Sequence, residues 1–212
     1  MAICQYHCKS KGVNPDRYTS LSFPKANLIF PFLCKLFSME EQYQRSGESF
    51  FNKPFEYFIE ELDKMQVTHT IQYAVLVLCL VNGGKLSVEH LPPNHMQNEV
   101  FNNCGINLGT SDKKIKDTIY HMAETYFTKL ESEYTFAHDF IFEVIAYHYG
   151  CQNKHQILKY LSSSYIANKL VVFDQASNEN LCIHISEDMY LPLAERLYTD
   201  IQFMNLFDVV MN

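Results

Sequence analysis

The sequence has no tryptophan, and its 7 glycines and 7 prolines are few for an all-β protein, whose many turns depend on them. Charged residues make up only 19% of the 212, against 14 tyrosines and 16 phenylalanines, a balance that excludes a disordered segment. The opening MAICQYHCKSK lacks the apolar region of a secretory leader. The most apolar run, residues 71–81 (IQYAVLVLCLV), is too short to cross a bilayer and predicts a buried helix, so no membrane association is expected. Catalytic signatures are missing too. G-x-S-x-G, H-E-x-x-H and paired C-x-x-C motifs do not occur. Residues 83–87 (GGKLS) supply half of a phosphate-binding loop, but they follow a predicted helix and lack the first glycine at the required spacing. No self-contained active site, catalytic residue or metal set is expected.

What is present points to a mainly α protein. A hydrophobic content of 47% can bury one sizeable core or two small ones. The net charge of −7 disfavours a general nucleic-acid binder, which needs a positive surface to displace counterions. The seven cysteines are odd in number and scattered, and Cys34, Cys79 and Cys182 lie in apolar surroundings as small hydrophobes, so a reduced, cytoplasmic setting is expected. Cys4, His7 and Cys8 find no second Cys/His pair at ligand spacing and read as one helix face.

Along the chain, Gly12 and Asn14-Pro15 end a first helix. Residues 28–38 (LIFPFLCKLFS) form the next, with Pro31 near the start, where a missing amide costs least, and Leu33, Leu36 and Phe37 on one face. Residues 50–65 repeat the design, with Pro54 in a first turn and Phe55, Phe58, Ile59 and Leu62 at helical spacing. Thr70 caps the buried helix through Val81, and Asn82-Gly83-Gly84 ends it. A short helix after Ser87 closes at Pro92-Pro93, residues 94–109 read as a loop, and Ser111 or Asp112 caps a helix from Lys113 to about Lys129. An extended segment and a strand follow. This is the order of a winged helix-turn-helix domain, with residues 113–129 in the recognition-helix position. Beyond Gly150, a helical stretch over 156–170 is interrupted at 162–164. Residues 170–173 and 181–185 suggest a small hairpin across DQASNEN, and Ser186 caps a last helix. The closing NLFDVVMN has no polar tail and looks cut from a longer chain.

The most informative stretch is residues 134–150 (YTFAHDFIFEVIAYHYG). Tyr134, Thr135 and Phe136 favour a strand, and from Asp139 the apolar period becomes helical, with Asp139 as N-cap and Gly150 as C′ residue. A His138-Asp139 pair is thereby held at a strand-to-helix corner. It admits two readings: a structural histidine beside a helix cap, or an imidazole that faces an anion held by another domain.

The text VNPDRYTSLSF, FPFLCKLFS, FFNKPFEYFIEELDKM, IQYAVLVLCLVNGGKLS, YTFAHDFIFEVIAYHYG, YLSSSYIANKLV and LPLAERLYTDI resembles, in order and across essentially the whole chain, the region that follows the P-loop core in STAND NTPases of the third novel type. The resemblance implies a small helical domain over residues 1–66, a winged-helix domain with a short β-hairpin over 67–150, and a helical extension over 151–212. It implies a control arm of a signalling protein, of the kind found in innate immunity, that senses whether ADP or ATP is bound. ADP or ATP with Mg²⁺ would be held by a P-loop core absent from this chain, and the expected partners are that core, ankyrin repeats of a longer parent protein and further copies on activation. Pro31 matches the proline of a Gly-x-Pro motif that contacts adenine, with Ile29 in the glycine's place. Ala137-His138-Asp139 matches a Met-His-Asp motif whose histidine touches the β-phosphate, and this makes the anion-facing reading of His138 the better one. Two alternatives stay open: a stand-alone helical interaction module presenting Tyr147, Tyr149, Tyr160 and Tyr165, and a nucleic-acid binder using Lys113, Lys114 and Lys116.

Overall fold

The computed structural model describes residues 2–12, 14, 29–106, 110–172 and 181–202. The expected stop at Pro15, the DQASNEN segment and the closing NLFDVVMN lie outside these residues. The protein is mainly α, and it divides into two compact units, Met1–Glu61 and Leu62–Asn212.

In the first unit, α1 (Ala2–Ser10) packs on α2 (Phe30–Met39), followed by α3 (Glu41–Ser46), α4 (Glu48–Asn52) and the start of α5 (Pro54–Thr68). Pro31 sits in the first turn of α2, where no backbone acceptor needs its amide. Leu33, Leu36 and Phe37 are buried on one face, as their spacing predicts. The expected single helix over 50–65 is two helices. The chain breaks at Lys53, and Pro54, which cannot donate to a preceding turn, opens the second.

The second unit is built around α6 (Thr70–Val81), in which every residue from Tyr73 to Val81 is buried. A helix apolar on all sides has to be covered on all sides. Around it pack α7 (Asn94–Asn103), α8 (Asp112–Met122), α9 (Asp139–Gln152) and α10 (Lys154–Tyr160). His69, not Thr70, is the residue before α6, and the Thr70 hydroxyl donates back to the Gln66 carbonyl at 3.2 Å. The helix closes as expected: Gly83 and Gly84 take positive φ values of 74° and 81°, and the Gly84 amide donates to the Cys79 carbonyl at 2.9 Å.

Three local expectations fail here. After Ser87 there is no helix. Lys85–Ser87 is strand β1, and the Ser87 hydroxyl accepts from the amides of Glu89 and His90, closing a turn. The predicted loop is helix α7: Val100 and Phe101 are buried, and the Gln97 side chain donates to the Pro92 carbonyl at 2.7 Å. Helix α8 stops at Met122 rather than near Lys129, because Glu124 turns the chain at φ 74° into strand β2 (Phe127–Leu130). Ser111 caps α8 as read, accepting from the Lys114 amide. Strand β3 (Glu133–Phe136) pairs antiparallel with both β1 and β2, giving the order β1-β3-β2.

Beyond α9 come α10, α11 (Ser163–Lys169), β4 (Leu170–Val171), β5 (Ile183–His184), a 3₁₀ turn (Glu187–Met189) and α12 (Tyr190–Gln202). The break between α10 and α11 falls at Leu161 and Ser162, and the Ser162 hydroxyl caps α11. The expected hairpin is instead a parallel pair, with Leu170 opposite Ile183. Gly150 is not a C′ residue either. It lies inside α9, where an added Cβ would stand 2.4 Å from Ile183 Cδ1 and 2.9 Å from Ile157 Cγ1, so glycine lets α9 approach α10 and β5. The helix therefore runs unbroken past residue 150 to Gln152.

Candidate functional site

The His138 corner is built by the aromatic residues before and after it. Phe136 stacks on Phe127 at 5.7 Å and meets Phe142 edge-on at 6.0 Å, and the Ala137 amide donates to the Tyr126 carbonyl at 2.9 Å. The Gly84 turn rests on the same two rings: a Cβ there would lie 3.7 Å from Phe142 and 4.0 Å from Phe136. The strand thus ends at a fixed point, and α9 starts three residues later.

His138, rather than Asp139, is the N-cap. Its backbone is extended (φ −162°, ψ 147°), and its Nδ1 accepts from the Phe140 amide at 3.1 Å. Nδ1 can accept only without a proton, so the neutral ring carries its proton on Nε2, and that nitrogen is a donor. Asp139, exposed in the first turn, puts its carboxylate at the positive end of the helix dipole. One turn on, Glu143 is engaged by Lys169 Nζ at 3.2 Å. Asp139 works against a high negative charge beside the corner. Pro31, exposed on α2, belongs to the first unit, and His138 and Asp139 to the second.

A second polar constellation lies deeper. The buried His148 ring on α9 meets Tyr73 Oη at 2.8 Å through Nδ1 and Asp63 Oδ1 at 3.1 Å through Nε2. With the proton on Nε2, both contacts are made by the neutral ring. Burial pushes the Tyr73 phenol well above its ordinary range. Tyr73 has no solvent exposure, and this chain clips α5 and α6 to α9. His148 is a core histidine. Its partners, 85 and 75 residues away, left no local signal.

Cys4, Cys8 and Cys34 are buried in the first unit, and among the described residues no group of three or more His, Cys, Asp or Glu is arranged to hold a metal ion. Burial pushes the Cys104 thiol up to about 12, which keeps it protonated and inert. Among the described residues no single helix is long and apolar enough to cross a membrane. The α5 and α6 pair has the length and composition only together, and it is bent by 119°.

Of the tyrosines read as an interaction surface, Tyr149 is fully buried and Tyr147, Tyr160 and Tyr165 are half-buried. The exposed apolar side chains are elsewhere, with Leu191, Tyr198 and Ile201 on α12 exposed by 68%, 63% and 45%. In comparisons with known proteins, no family model, no curated protein and no solved structure matches the chain.

Proposed function

We propose that this chain is the nucleotide-state-sensing arm of a STAND-type NTPase, non-catalytic by itself, which closes over ADP held by a separate P-loop core. The element order α6-β1-α7-α8-β2-β3 with sheet order β1-β3-β2 supports a winged-helix assignment for residues 70–136. In that reading α8 takes the recognition-helix position and β2-β3 is the wing. The functional part is supported by one observation: His138 caps α9 through Nδ1 directly after the wing, which holds the Ala137-His138-Asp139 match at the start of a helix.

Asp139 at the same helix end means that the nucleotide's charge must be met by a lysine and Mg²⁺ of the core, so the chain alone binds ADP very weakly. Calorimetric titration with ADP tests this, and micromolar binding by the isolated chain overturns it. In a longer chain that includes the core, His138→Ala loosens ADP and shifts the population toward the active state. Unchanged ADP release there removes His138 from the role.

One observation favours a second reading, a helical protein-interaction module: the exposed apolar side chains of α12. Light scattering over a concentration series, with and without candidate partners, separates the two. A chain that stays monomeric and binds none of them counts against the module. The nucleic-acid reading is weaker, because exposed Lys113 and Lys114 share α8 with exposed Asp112 and Asp117.

A further inference from the structure

No further inference is drawn: the strongest candidate, the apolar stripe of Leu191, Ala194, Tyr198 and Ile201 along the outer face of α12, carries nothing because no feature of the structure shows what covers it.

Discussion

The first unit and the C-terminal helices are held together by opposite means. In the first unit, Phe37 and Phe51 lie 5.0 Å apart, Tyr43 stacks on Phe50 at 4.5 Å, and Phe30 and Phe58 extend the cluster from either side. Around α12 the apolar core is small, made by Leu158, Ile166, Ile185 and Met189 with Leu170 and Leu193 against it. Beside it is a buried polar knot. Asp200 accepts from the Ser163 hydroxyl at 2.6 Å and from Arg196 Nε at 2.9 and 3.0 Å, while the two ends of the guanidinium donate to the carbonyls of Leu158 and Leu161 at the close of α10. Ring packing is a sum of many small, non-directional contacts, so it degrades by degrees. A satisfied polar knot is nearly all-or-none, since removing one member strands the others away from water.

The sharpest test of that contrast is conservative substitution on each side. Phe50→Ala is expected to cost about 3–5 kcal/mol, and Phe50→Leu to recover a large part of it, because leucine refills most of the cavity. Arg196→Ala is expected to cost a similar 3–5 kcal/mol by leaving Asp200 buried and uncompensated. Arg196→Lys should recover little, since one ammonium cannot reproduce the fork that serves a carboxylate and two carbonyls. Urea unfolding of the four variants reads this directly. If lysine rescues as well as leucine does, the two regions do not differ in kind.

Gly150→Ala probes apolar packing at the start of the C-terminal region. Alanine gains about 1 kcal/mol of helix propensity over glycine, but its Cβ meets the fully buried side chains of Ile183 and Ile157. A net loss of about 1–2 kcal/mol in thermal or urea unfolding is expected. A gain would mean that β5 moves aside at little cost.

The smallest effect belongs to an ion pair nearer the surface. Lys159 and Tyr160 on α10 bond Glu99 on α7, and these hydrogen bonds depress the Glu99 carboxyl to about 2. A depressed carboxylate contributes stability above its unfolded value, near 4.5, and loses it as the pH falls toward 2. Glu99→Gln should therefore lower stability at pH 7, by a small amount because the pair is partly hydrated, and flatten the acid limb of the stability–pH curve over that interval. An unaltered acid limb would show that the pair does not contribute.

The two regions also differ in how far their sequences reveal them. The aromatic unit announces itself: Pro31, Leu33, Leu36 and Phe37 carry a helical period, and burial of that face follows. The Asp200 knot does not. Apart from the four-residue step between Arg196 and Asp200, its members lie 35 to 38 residues from the groups they bond, and an Arg/Asp pair at that step on a helix ordinarily reads as solvated surface. At the candidate site, the corner itself could be read from strand formers giving way to a helical period. Which residue caps it could not, because Asp139 outranks histidine as an N-cap on propensity. His138 takes the position once Phe136, between Phe127 and Phe142, fixes where the strand ends.

The sequence alone carried the features set by neighbours within a turn or two: a mainly α chain, the buried α6 with its glycine stop, a cap at Ser111 or Asp112, a break near residues 162–164 and the His138 corner. Only tertiary structure decided the features that depend on distant partners. Helix α7 forms from a polar segment because Val100 and Phe101 find a core to enter. Residues 85–87 become a strand because β3 supplies the hydrogen bonds. The two short C-terminal strands run parallel because strand direction is set by pairing and not by the residues of either one. Gly150 continues a helix it would otherwise end because Ile157 and Ile183 leave no room for a side chain. Local propensities are worth tenths of a kilocalorie to about one, and a buried side chain is worth about two or three, so where the two conflict packing prevails.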